Sequence, residues 1–181
     1  MQLGQIEVAE FRDMFAADGG KHFLWFVLHV RARQEKALAG DLEGLDVDYF
    51  LPLVMKIRYY GKRKRTVKLP LFPGYVFLRG SIEQVYTADR TRRVLSIIPV
   101  KDQGGLNWEL KNLHLALVKG VTLDPYPTLK ANVRVEVRSG PLRGLQGVIE
   151  SRTRANRLVL QVAMLGSAVS LEVDGSLLDP V

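Results

Sequence analysis

The sequence predicts an α+β domain followed by a small all-β barrel, and three observations carry that prediction. Between residues 23 and 120, apolar runs of strand length alternate with leucine stripes at helical spacing. From Val133 onward the texture changes to short strands of strict alternation: Val133, Val135 and Val137, then Leu158, Leu160, Val162 and Met164, then Val169, Leu171 and Val173. Between the two regions lies Asp124-Pro125-Tyr126-Pro127, whose prolines forbid helix and suit a short, semi-rigid linker. The expected organisation is a leader over 1–22, the α+β domain over 23–120, a linker over 121–131 and the barrel over 132–181.

Each element has its own local signal. Trp25 to Val30, apolar but for His29, reads as a buried strand. Leu38, Leu42 and Leu45 predict a helix from about Ala32 to Leu45, with Gly44 near its end. Val47–Leu51 and Val54–Tyr60 read as strands, Gly61-Lys62 turns the chain, and Arg65–Leu69 returns as a hairpin arm. Ser81 and Gln84 form a capping box for a helix to about Ala88. Val94–Val100 is a further strand. Asn107 is the expected cap of a helix whose stripe is Leu110, Leu113 and Leu117, ending before Gly120. These elements make a mixed sheet with helices packed on it. The glycines after Val137 supply the turns of a barrel of about five strands.

The bulk composition narrows the function classes. The chain of 181 residues is 47% hydrophobic and 25% charged, and it has no cysteine. Disulfides, thiolate metal sites and cysteine nucleophiles are therefore excluded. No apolar run approaches the ~18 residues of a spanning helix. Residues 1–20 carry Glu7, Glu10, Asp13 and Asp18, unlike a secretion signal, so a cytoplasmic monomer without a membrane partner is expected. His22, His29 and His114 lie far apart with no metal-ligand spacing, and no nucleophile or phosphate-loop motif is present. A binding protein with neither cofactor nor metal is expected rather than an enzyme.

The net charge of +7 is uneven. Residues 1–119 hold 19 basic and 13 acidic side chains, and residues 120–181 hold 7 and 6. Between Asp48 and Glu83 there is no acid, yet Lys56, Arg58, Lys62, Arg63, Lys64, Arg65, Lys68 and Arg79 lie there. Such a run is either a solvated hairpin face or a field that attracts a polyanion.

The segment Pro70-Leu71-Phe72-Pro73-Gly74-Tyr75-Val76-Phe77 is the most distinctive of the chain. Pro73 cannot donate a ladder hydrogen bond and Gly74 can turn sharply, so the chain bends there and enters a strand. The segment is either a core strand after a tight turn or a rigid aromatic docking surface. It resembles the signature of the NusG family of transcription elongation factors. The stretch from Ser139 to Ile149, with Gly140, Gly144 and Gly147, resembles a KOW motif in an SH3-like barrel. The order of the two motifs matches that family over about residues 24–181. Phe50-Leu51-Pro52-Leu53, Gly140-Pro141-Leu142 and Ser170-Leu171-Glu172-Val173 are similar to the specialised UpxY- and RfaH-type antitermination paralogues.

The resemblance implies an NGN-like first domain that binds the clamp helices of RNA polymerase through His29, Phe72, Pro73, Tyr75 and Phe77, with Val76 in the core. It implies a gate-loop contact through Tyr86, Thr87, Ala88 and Asp89, and a non-template DNA contact through Arg31, Arg33, Arg92 and Arg93. The hairpin tip, with Lys62 and Arg63, would add attraction to DNA. The barrel's partner turn would be Met164-Leu165-Gly166 together with Leu142, its partner being Rho, a ribosomal protein or neither. Leu145 is expected in the core. The implied function is suppression of pausing or termination on selected operons. The alternatives are a housekeeping factor coupling polymerase to Rho or the ribosome, and a KOW-type RNA-binding ribosomal or translation protein.

Overall fold

A computed structural model describes residues 23–121, 123–126, 133–152 and 155–181. The expected leader, and part of the expected linker, lie outside these residues. The described chain forms two compact units, one ending at Gln103 and one starting at Gly104.

The first unit contains β1 (Leu24–Val30), α1 (Glu35–Gly44), β2 (Asp48–Phe50), β3 (Leu53–Tyr60), β4 (Arg63–Pro70), β5 (Tyr75–Gly80), α2 (Ile82–Asp89) and β6 (Val94–Pro99). Four strands make one sheet in the order β2-β5-β1-β6, while β3 and β4 form a separate two-stranded ribbon. Every pairing in the sheet is antiparallel, which corrects the expected mixed sheet. The reason is topological: β5 and β6 are joined across α2, but β1 lies between them and opposes both.

One face of the sheet buries Leu28, Val30, Val76 and Leu78 with Leu38 and Leu42 of α1 and Val85 and Ala88 of α2. Helix α1 is shorter than its leucine stripe suggests, because the chain first turns through Arg33, whose φ is +63°. Leu45 is 46% exposed, since it lies past the last helical turn and off the stripe. The capping box of α2 forms as expected: Ser81 N donates to Gln84 Oε1 at 2.9 Å and Gln84 N to Ser81 Oγ at 3.4 Å.

Helix α3 (Gln103–Val118) starts four residues before Asn107, so the expected cap is interior. Gln103 itself accepts from Trp25 N at 2.7 Å and donates to the Trp25 and Val100 carbonyls. The rest of α3 belongs to the second unit, with β7 (Asp124–Tyr126), β8 (Val133–Val137), β9 (Gln146–Arg152), β10 (Ala155–Val162), β11 (Ser167–Val173) and β12 (Leu178–Pro180). Beyond Gln103, the helix makes polar contacts with these strands. Trp108 Nε1 donates to Gln146 Oε1 at 2.8 Å, Gln146 N donates to Asn112 Oδ1 at 2.7 Å, and the Arg134 guanidinium lies 4.6 Å from the Trp108 ring. Burial holds the His114 imidazole below its ordinary pKa.

Among the described residues the second unit is all-β apart from α3 and two single 3-10 turns, and its strands form one antiparallel sheet in the order β12-β8-β9-β10-β11-β7. Its sixth strand is β7, where linker was expected. Asp124–Tyr126 pair with Ser170–Ala168, and Pro125 is tolerated because β7 is an outer strand. Met164 does not continue the alternation of β10, which ends at Val162 before a 3-10 turn. Gly147 is required by packing: a Cβ there would meet the Val159 carbonyl at 2.8 Å. Among the described residues no helix is long and apolar enough to cross a membrane.

Candidate functional site: a ring pair and two arginine turns

The bend predicted at Pro73-Gly74 forms with Gly74 at φ +85°, a conformation that disfavours any side chain. Tyr75 N donates to Phe72 O at 3.2 Å across the bend, and Val30 N donates to Gly74 O at 2.8 Å. Gly74 N donates to Glu35 Oε1 at 2.7 Å, and Glu35 is only 6% exposed. Glu35 thus fixes the bend from the first turn of α1. Sequence reasoning missed it, because an acidic residue in a helix's first turn ordinarily needs no further explanation than the helix dipole.

The five residues expected to dock a partner divide into two groups. His29 and Tyr75 are directly opposite one another on β1 and β5, half-buried, with rings stacked at 5.3 Å and 26°. Pro73 is exposed beside them. Phe72 and Phe77 are 5% and 0% exposed, so the structure corrects their assignment to the surface. They form a buried aromatic cluster, with Phe77 edge-on to Phe72 at 6.1 Å and tilted to Phe50 at 6.3 Å.

Register explains the division. Phe77 has Val27 opposite on β1 and Phe50 opposite on β2, so it is walled on both sides. Tyr75 has only His29, because β2 ends at Phe50. Val76 is buried, as expected.

At the same end of the sheet, two turns carry the expected DNA-facing arginines. Arg31 N donates to Arg93 O at 2.9 Å, which ties the turns together. Arg31, Arg33 and Arg92 are exposed, and both Arg33 and Arg92 are left-handed, with φ of +63° and +61°. An arginine in that conformation costs roughly 1–2 kcal/mol. Arg93 is different. Its guanidinium bonds to Asp41 Oδ2 at 2.6 Å and to Gln34 Oε1, so it braces the turns internally.

On α2, Tyr86 and Asp89 are exposed, but Ala88 is wholly buried against the helix-face core and drops out of the expected gate-loop segment. Thr87 is partly buried and its hydroxyl donates to the Glu83 carbonyl at 2.9 Å. Lys62 and Arg63 are exposed at the tip of the ribbon.

In the second unit Leu145 is fully buried, as expected, and Leu142 is partly exposed in the preceding turn. Met164 is 38% exposed, Leu165 is partly exposed, and Gly166 ends the 3-10 turn at φ +59°. Helix α3 and the residue that follows it hold both turns. Glu109 accepts from Ala163 N at 3.2 and 3.3 Å, and Lys119 Nζ donates to the Pro141 and Arg143 carbonyls.

The described residues thus form a small α+β unit followed in the chain by a largely β unit. Residues 23–109 match the family model described as "Transcription termination factor nusG". Chains of solved structures also match. One, titled "Crystal Structure of MjSpt4:Spt5 complex conformation B", is 16% identical, covers 87% of this chain and 97% of that chain, and has a TM-score of 0.32. No curated protein matches the chain.

Proposed function

We propose that this protein is a transcription elongation factor that attaches to the clamp of RNA polymerase through His29, Pro73 and Tyr75. The observation that carries the reading is the half-buried His29–Tyr75 stack beside a rigid turn, in the segment that matches the nusG family model. Paired rings present apolar area that loses little side-chain entropy when covered, and tyrosine adds a polar tip. Phe72 and Phe77 act from behind, by fixing the rings' platform.

Tyr86 and Asp89 of α2 supply a second contact, to the gate loop on the opposite pincer. A ligand that grips both pincers has greater affinity for the closed clamp and shifts the enzyme away from its paused state. Arg31, Arg33 and Arg92 face the non-template strand, and Lys62 and Arg63 add attraction to DNA. The second unit offers Leu142, Met164 and Leu165 to a further partner, Rho or a ribosomal protein among them. The protein works without cofactor or catalysis, in the cytoplasm.

The specialised antitermination role is favoured by the short motifs shared with UpxY-type sequences and by Leu165 in place of the phenylalanine common in the housekeeping factor's partner turn. Single-round transcription with purified polymerase tests this. Added protein should shorten pauses and raise read-through at terminators. Enhanced Rho-dependent termination would select the housekeeping role instead.

The strained turns give a separate expected result. Arg33→Gly should leave stability unchanged or raise it by up to about 1 kcal/mol, since glycine accepts φ +63°. The same variant should bind elongation complexes containing a non-template strand less tightly, with affinity for core polymerase preserved. Equal loss on both would assign Arg33 to the protein contact.

A further inference from the structure

We propose that the ribbon of β3 and β4 is an arm that binds single-stranded nucleic acid, each face pairing a ring with a cation across the two strands. The proposal rests on the nucleic-acid contact proposed for Lys62 and Arg63, and deepens it by naming the form of the ligand and the residues that select it.

Four observations support it. The ribbon is a sheet by itself, and residues 55–66 are all exposed. A lone two-stranded ribbon gains little from its own core. This one nevertheless exposes Met55, Ile57, Tyr59 and Tyr60 at 55%, 52%, 71% and 58%. Met55, Ile57 and Tyr59 follow one another along one face and Tyr60 lies on the other, and exposed apolar surface of this kind marks an interaction site. Its charge says which kind: no acid interrupts the cations from Lys56 to Lys68.

The register then places those groups. Tyr59 is directly opposite Lys64, and Tyr60 directly opposite Arg63. Consecutive residues of a strand face opposite ways, so each face of the ribbon carries one ring and its facing cation. Further along one face come Lys56 and Arg58, with Arg58 opposite Arg65; along the other come Met55 and Ile57, with Met55 opposite Lys68.

A ligand that satisfies both features must be an anion bearing flat apolar rings. Bases stacked on tyrosine, with their phosphates held by the neighbouring lysine or arginine, meet that requirement. A duplex does not, because its base faces are already stacked and it offers only phosphate. An acidic protein does not couple a flat ring to every anionic unit, as a nucleic-acid strand does.

The test uses the full chain and free oligonucleotides, without polymerase. Its result is therefore independent of whether His29 and Tyr75 hold the clamp. Fluorescence anisotropy should show oligothymidylate and oligouridylate binding more tightly than a duplex of equal length. Tyr59→Ala combined with Tyr60→Ala should weaken single-strand binding about tenfold or more, with an unchanged circular dichroism spectrum and melting curve. Arg58→Gln with Arg65→Gln should flatten the log–log salt dependence by about 1.4, at ~0.7 per phosphate.

A tighter DNA arm would indicate a displaced DNA strand as the ligand, a tighter RNA arm a transcript, and either or both support the proposal. Duplex binding as tight as single-strand binding would overturn it. So would parental affinity in the folded tyrosine variant, or tyrosine-dependent capture of anionic lipid vesicles at similar strength.

Discussion

Phe77→Ala should destabilise the protein by about 3–5 kcal/mol, the range for truncating a buried phenylalanine. The side chain is 0% exposed and sits between Val27 and Phe50 across the two neighbouring strands. Removing it deletes the edge-on contact to Phe72 and the tilted contact to Phe50, each of a kind worth ~0.5–1.5 kcal/mol beyond area burial. Three other large side chains on that face, Trp25, Val27 and Phe50, are already nearly or fully buried, so little material is free to collapse into the space. Urea unfolding of the full chain checks this. A loss below about 1 kcal/mol would mean that Phe77 is not packed as described. Any loss of polymerase binding in this variant would then follow from loss of the fold, and would not identify Phe77 as a contact.

Tyr75→Ala should do the opposite, lowering affinity for core polymerase at least tenfold, or about 1.4 kcal/mol, while the unfolding midpoint stays close to the parent's. Tyr75 is partly exposed, walled on one side only, and stacked on His29. A tyrosine at the centre of a docking patch is the residue type whose truncation costs most. His29→Ala should weaken binding less, because its contribution is to hold the tyrosine ring as well as to add area. Biolayer interferometry on the two single variants and the double variant measures the coupling between them. Parental affinity in a folded double variant would remove the proposed attachment. The pair of predictions separates two residues that lie two positions apart on one strand.

The local features of the fold were legible because their causes are local. Ser81 and Gln84 announced the start of α2, and Gly61-Lys62 announced the turn of the ribbon, since both depend on residues within hydrogen-bond reach along the chain. The bend at Pro73-Gly74 was legible for the same reason, and Gly74 takes the positive φ that the bend needs. Helix ends were less so: α1 loses its first turn to Arg33, and α3 begins before Asn107 because Gln103 finds its partners on β1.

The site was only half legible. Alternation put Tyr75 and Phe77 on one face, and that holds, but alternation is silent on which of the two is covered. The answer came from β2, which is three residues long and reaches Phe77 without reaching Tyr75. Glu35 and Arg93 were placed in the same way, by partners 39 and 52 residues distant in the chain.

By itself the amino-acid order determined where the chain turns, which segments become strands and helices, and that one ribbon carries a single sign of charge. Those properties follow from backbone sterics, capping and side-chain type, all acting over a few residues. Tertiary structure alone decided which rings reach solvent, which arginine is spent on an internal ion pair, and which tyrosine stands opposite which cation. Burial and register are set by whatever segment happens to lie alongside, and that neighbour is named by the topology of the sheet rather than by anything adjacent in the chain.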